Sequence, residues 1–187
     1  YHQNQPNIQR NKAQNLQKLR EEINQIKNCK LKENASNLVF SDGNPDSKVM
    51  IIGEGPGANE DKEGFPFVGR AGQLLDKMLN AINLNRERVY ITNVVNYRPP
   101  ENRKPTEKEV GRYLPYLKKH IEIIRPKIIL LLGSTAMNAI LSNTEVISKM
   151  KKPLKDSSTI QSTLWDISPH RQDGGRPCAI SHPCQRA

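Results

Sequence analysis

Three short apolar runs constrain this chain more than any other feature. They are Lys48–Ile52 (KVMII), Val89–Val95 (VYITNVV) and Ile128–Leu132 (IILLL), and each is followed by turn residues and then by a helical pattern. A strand that is apolar on both faces is covered on both faces. Strands of this kind separated by helices predict a parallel sheet between helical layers. The expected fold class is therefore α/β, a three-layer α/β/α arrangement around a central, mostly parallel sheet. The helices are read from periodicity. Residues 13–28 space Leu16, Leu19, Ile23 and Ile26 at helical intervals, and residues 70–82 put Leu74, Leu75, Met78, Leu79 and Ile82 on an inner face. Thr106 and Glu109 form a capping-box pattern. The helix they open reaches about Arg125, with Leu114, Leu117, Ile121 and Ile124 as its apolar stripe and a kink at Pro115. Ser134–Leu141 starts another helix behind Gly133. Ligands of such sheets sit at the carboxyl ends of the strands. Those ends carry GEGPG (53–57), the Asn93 region and Gly133–Ser134, so three loops are expected to converge on one crevice. Topology alone names no ligand.

The chain has 187 residues, enough for one domain with a core, and it opens on Tyr1 rather than Met, as a fragment or a processed product would. Its formal net charge of +10 favours contact with polyanions, nucleic acid first; a basic surface without a specific partner is the plain alternative. No apolar run approaches the ~20 residues that cross a bilayer. The polar N-terminus lacks a signal-peptide apolar region, and three cysteines (Cys29, Cys178, Cys184) do not make a disulfide framework. These features predict a cytoplasmic protein with no membrane partner, expected to act as a monomer. Residues 1–12 are polar and expected to be disordered, residues 13–155 form the domain, and residues 156–187 form an atypical tail. Beyond Lys155 the chain has no further lysine, and Arg171, Arg176 and Arg186 carry the positive charge. The tail is read as frameshifted, fused or poorly determined sequence, or as an incomplete end of the domain. Codon composition on either side of Asp156 tests this; one uniform, intact reading frame contradicts it.

Four motifs carry chemistry. GEGPG follows a strand, where a glycine-rich loop lets backbone amides approach a ligand closely. It matches neither the dinucleotide fingerprint nor a Walker loop. Glu54, Glu60 and Asp61 would repel a phosphate in the loop, which argues against a nucleotide-binding protein. A neutral base that donates hydrogen bonds is the better guest. Phe67, in PFVG, is either a core aromatic or a stacking platform for a nucleobase. Asn93 lies in a strand otherwise made of Val, Ile, Thr and Tyr, so its amide serves a structural hydrogen bond or base readout. An amide accepts from uracil N3–H and donates to O4, and cytosine has the opposite pattern. RPPENRKP (98–105), with Arg98, Arg103 and Lys104, is a phosphate-contacting loop or a solvated connector.

Three stretches then share one resemblance. GEGPGANEDKEGFPFVGRAGQLLDKML, TNVVNYRPPENRKPTEKE and YLPYLKKHIEIIRPKIILLLGSTA are similar to the type-4 uracil-DNA glycosylases of bacteria and archaea over roughly residues 16–150. The resemblance implies the same α/β fold, uracil-containing DNA as partner, and hydrolysis of the N-glycosidic bond in base-excision repair. It implies that Gly53, Glu54 and Gly55 line the uracil pocket, with Glu54 near the glycosidic bond. Phe67 would stack on the flipped base, Asn93 would read its Watson–Crick edge, and Glu60 would stand where bulk near uracil C5 excludes the thymine methyl.

Two departures from the family accompany it. The family carries a 4Fe-4S cluster on four cysteines, and the corresponding positions here are Ile26, Cys29, Tyr97 and Tyr113. Cys29 alone is a competent ligand, so no cluster is expected and the other three should pack the site. The family also has a histidine, in an HP-S/A-YLLR motif, that donates to uracil O2. Its nearest counterpart is His182-Pro183 in AISHPCQRA, read as a chance dipeptide in the altered tail, with the catalytic histidine as the alternative. Losing that donor would weaken leaving-group stabilisation by about 2–4 kcal/mol and leave a DNA-binding relative that cleaves slowly.

Overall fold

A computed structural model describes residues 5–141, with side chains from Arg10 onward. In chain order the elements are α1 (Gln5–Asn24), α2 (Lys30–Asn34), β1 (Asp42–Gly43), β2 (Val49–Gly53), α3 (Ala58–Glu63), α4 (Arg70–Ala81), β3 (Tyr90–Asn93), α5 (Glu107–Ile124), β4 (Ile128–Leu131) and α6 (Ser134–Leu141). The sheet order is β1-β3-β2-β4. Both β3 and β4 pair parallel to β2, while the two-residue β1 pairs antiparallel to β3 at one edge. The mostly parallel α/β sheet expected from the apolar runs is the one observed. The short antiparallel edge was not foreseen, because two residues carry no periodicity.

Residues along β2 alternate between two cores, as the pleat dictates. Met50 and Ile52 join Tyr90, Leu19, Ile23, Leu117 and Ile124 on the side of α1 and α5. Ile51 and Ile91 join Leu75 and Leu79 of α4 on the other side. Three layers result.

The helices differ from the sequence reading in informative ways. The first begins at Gln5 rather than residue 13, so residues 5–12, expected as a disordered segment, are helical. Lys12, two turns in, ties the helix to the turn before β2: its Nζ donates to the Pro45 carbonyl at 3.1 Å and to the Asp46 carboxylate at 2.9 Å. The helix ends at Asn24, leaving Ile26 on the following turn, still packed against the core. Within α4, Leu75 and Leu79 are buried, but Leu74 and Ile82 are exposed. The close approach of Gly72 to the Phe67 carbonyl fixes the rotation of this helix, and Leu74 falls off the Gly72–Leu75–Leu79 line. The α5 capping box is as read, with Glu109 N donating to Thr106 Oγ1 (3.3 Å) and Thr106 N to Glu109 Oε2 (2.7 Å). This helix continues through Pro115. Its buried line runs through Tyr113, Leu117, His120, Ile121 and Ile124 rather than Leu114, because two polar-tipped rings find partners inside. Among the described residues no helix is long and apolar enough to cross a membrane.

His120 is one of those rings. It is 2% exposed, stacks on Phe40 with ring centroids 4.6 Å apart, and sets its Nε2 2.7 Å from Tyr90 Oη, which donates to Ser41 Oγ at 2.8 Å. Burial pushes the imidazole down to about 3, from an ordinary value near 6.5. Between those values the unfolded chain binds a proton that the folded chain refuses. This contribution to stability is therefore intact above pH 6.5 and is lost as pH falls towards 3, by at most about 1.4 kcal/mol per pH unit. Urea unfolding at pH 7 and pH 4.5 should show a smaller acid-induced loss for His120→Gln than for the parent chain. Parallel losses would contradict the assignment.

Candidate active site at the strand ends

Parallel pairing brings the carboxyl ends of three strands to one side. Gly53 pairs with Asn93, and Ile52 pairs with both Thr92 and Leu131. The pairing continues beyond the strands, with Val94 N donating to Gly53 O (2.8 Å), Val95 N to Glu54 O (3.2 Å) and Leu132 N to Ile52 O (2.9 Å). The Glu54 carboxylate accepts from Thr135 Oγ1 in the first turn of α6. The three loops expected to converge therefore do so, and Thr135 is a contact the sequence reading missed. A threonine after a glycine turn carries no signal of its own.

Gly53 is crowded by two of the predicted pocket residues. A methyl group there would lie 2.5 Å from Asn93 Oδ1, 2.5 Å from Phe67 Cζ and 2.8 Å from Phe67 Cε2. Glycine leaves buried backbone without a side chain between a ring and an amide. Gly55 is similarly confined, its absent methyl falling 2.7 Å from Val95 Cγ2. Asn93 is 3% exposed. The neighbouring polar side chains are spoken for internally: Thr92 Oγ1 donates to Phe40 O (2.8 Å) and Asn96 Nδ2 to Val39 O (3.0 Å). The Asn93 amide makes no comparable bond to another described residue. Phe67 is half-buried against the core cluster of α4, so it is a core aromatic along one edge and a wall of the crevice along another.

The backbone of Phe67 is left-handed, with φ +56°. A bulky side chain resists that region, at a cost of about 1–2 kcal/mol, so the surroundings must enforce it. Glu60 does part of this: its carboxylate accepts from Val68 N (3.0 Å), Gly69 N (2.8 Å) and Gly57 N (3.1 Å), joining both ends of the loop. The predicted wall position of Glu60 is thus a carboxylate engaged by three backbone amides. Asp61, buried beside it, accepts from Ser36 N (2.9 Å) and Asn37 N (3.0 Å). Arg86 works from the other side and was not foreseen: it reaches the carbonyls of Pro66 (3.1 Å) and Phe67.

The basic loop is braced internally. Arg98 Nε donates to Asn102 Oδ1 (2.8 Å), and Arg103 forms a two-point ion pair with Glu109 (2.8 Å each). That pairing, with the bonds from Thr106, holds the Glu109 carboxyl down at about 2. Arg103 and Lys104 remain exposed.

The four cluster positions meet in the core beside α1 and α5. Cys29, Tyr97 and Tyr113 are 4%, 3% and 1% exposed, and Ile26 packs against the same core. Cys29 Sγ is 3.2 Å from Tyr113 Oη, and Tyr97 Oη donates to Asn24 Oδ1 (3.1 Å). Burial raises both phenols, which therefore stay neutral. One thiol, two neutral phenols and an aliphatic chain do not fit a cluster that needs thiolate ligands. Among the described residues no group of three or more His, Cys, Asp or Glu is arranged to hold a metal ion. His182 lies outside the described residues, as does the whole tail from 156.

Residues 40–183 match the family described as the Uracil DNA glycosylase superfamily. A type-4 uracil-DNA glycosylase of Sulfurisphaera tokodaii is 49% identical over 128 residues, covering 68% of this chain and 58% of that protein. The type-4 enzyme of Thermotoga maritima is 44% identical over 132 residues (70% and 69%), and that of Pyrobaculum aerophilum is 43% identical over 141 residues (75% and 70%). The matched region is thus less than two thirds of the Sulfurisphaera protein and just over two thirds of the other two. On these matches, and on a fold and strand-end site consistent with them, the chain belongs to the uracil-DNA glycosylase superfamily and, within it, to the type-4 group.

Proposed function

We propose that this chain removes uracil from DNA by hydrolysing the N-glycosidic bond, as a monomer in the cytoplasm, in base-excision repair. The grouping of bare backbone at Gly53, the Phe67 ring and the Asn93 amide carries the reading, supported by the type-4 relatives. A base turned out of the duplex stacks on Phe67. Asn93 Oδ1 accepts from uracil N3–H and Nδ2 donates to O4. Glu54 lies near the sugar: it orients the water that adds at C1′ and offsets the oxocarbenium charge there. Uracil departs as an anion with the electron pair of the broken C–N bond, leaving an abasic site. Thr135 holds one carboxylate oxygen of Glu54, so the other is available to the water. The wall that Glu60 braces keeps the thymine methyl out. Arg98, Arg103 and Lys104 contact phosphates, which makes binding weaken as salt rises. If the alternative reading of His182-Pro183 holds, His182 is the donor to uracil O2.

The departure of the tail from the HP-S/A-YLLR motif favours a second reading, a DNA-binding relative that cleaves slowly. One assay separates the two. Incubation with an oligonucleotide containing a single uracil, followed by alkali, should cut at that position, and Asn93→Asp should extend cutting to cytosine. Binding without cutting identifies the slow relative, and neither binding nor cutting contradicts both readings. Unchanged selectivity in Asn93→Asp removes Asn93 from base readout.

We also propose that the chain binds no iron–sulfur cluster. The donor set at Ile26, Cys29, Tyr97 and Tyr113 supports this, since three of the four positions offer no thiolate. Protein purified without oxygen should be colourless and contain iron far below one cluster per chain. A brown protein with stoichiometric iron would contradict the proposal.

A further inference from the structure

We infer that Arg86 is a positioning residue for the base-stacking ring, an assignment that rests on the uracil-pocket reading of Phe67. Arg86 opens a 3-10 turn (Arg86–Arg88) directly before β3. Its guanidinium spreads over three elements. Nε donates to Asp76 Oδ1 of α4 (2.8 Å), Nη1 to Asp42 Oδ2 of β1 (2.7 Å) and to Pro66 O (3.1 Å), and Nη2 to Phe67 O. Only a planar fork of five N–H groups reaches two carboxylates and two successive carbonyls together.

The carbonyls that it grips bracket the strained residue. Phe67 sits at φ +56°, where a bulky side chain does not settle unaided. Glu60 holds the amides on its C-terminal side, at Val68 and Gly69, and Arg86 holds the carbonyls at Pro66 and Phe67. The N-terminus of α4 closes on the same carbonyl: a methyl group on Gly72 would fall 1.6 Å from Phe67 O. With the peptide planes fixed on both sides, the Cα–Cβ direction of Phe67 is set, and from there the ring lies against Gly53. Asp42 and Asp76 in turn fix the guanidinium, since Arg86 is paired to both. The edge strand, whose two residues bury little, thereby acquires a reason to exist: it delivers Asp42 to Arg86.

Arg86→Lys keeps the charge beside the two aspartates but loses the fork, so it separates charge from geometry. In the full chain, Arg86→Lys and Arg86→Gln should each lower kcat/KM for uracil release by about tenfold, the scale of one lost base stack, mainly through KM. In a Phe67→Ala background the same changes should cost less than about twofold. The ring proton resonances of Phe67 and the amide of Gly53 should shift in Arg86→Lys. Equal activity losses in both backgrounds, or unmoved Phe67 and Gly53 resonances, would overturn the inference. If the parent chain releases no uracil, the proposed function fails by itself, and the resonances alone decide the role of Arg86.

Discussion

The pairing of Gly53 with Asn93 is the constraint on which the rest of the site depends. It places the last residue of the central strand beside an amide on its parallel neighbour, and the lack of a side chain at Gly53 leaves room for the Phe67 ring above. Strand pairing is cooperative along the sheet, and a one-residue slip would turn Asn93 to the opposite face. The cores on the two faces oppose that slip. Met50 and Ile52 are committed to one and Ile51 to the other, all fully buried. The residues at the strand ends are thus positioned by packing several residues away.

A second layer of constraint is polar and local. The shape of the segment from Gly57 to Gly69, α3 and the turn after it, is set in large part by charged side chains that capture backbone groups. Glu60 takes three amides, Asp61 takes two from the preceding segment, and Arg86 takes two carbonyls. Bonds of this charge-assisted kind are stronger than neutral ones. The carboxylates of the loop, which from the sequence argue only against a phosphate guest, thus also serve as its internal scaffold. Polar bonds also tie the segments that meet in the core beside α1 and α5. Tyr97 binds Asn24, Cys29 meets Tyr113, and Arg112 donates to the carbonyls of Lys27 and Asn28. These bonds connect the same segments with ordinary side chains.

The sheet, its parallel sense and the convergence of three loops were legible because apolar runs and glycine turns act over a few residues, where sequence and structure share a period. Leu74 and Ile82 were misassigned to the buried face of α4, because its rotation is set by the close approach of Gly72 to the Phe67 carbonyl, which no apolar periodicity records. The early start of α1 was not legible, and Lys12 within it reaches the turn at Pro45 and Asp46, a pairing distant in sequence. Gly53, Phe67 and Asn93 were singled out because each is unusual in its local context, and the fold sets them side by side. Arg86 and Thr135 were missed because an arginine near a turn and a threonine opening a helix are commonplace until their partners are known.

Side-chain amide resonances of Asn93 during titration with free uracil, and in parallel with free cytosine, test the central claim most directly. If the strand-end crevice reads the Watson–Crick edge of uracil, these resonances shift and saturate with uracil and stay in place with cytosine. No shift with uracil, or equal shifts with both bases, would contradict the account.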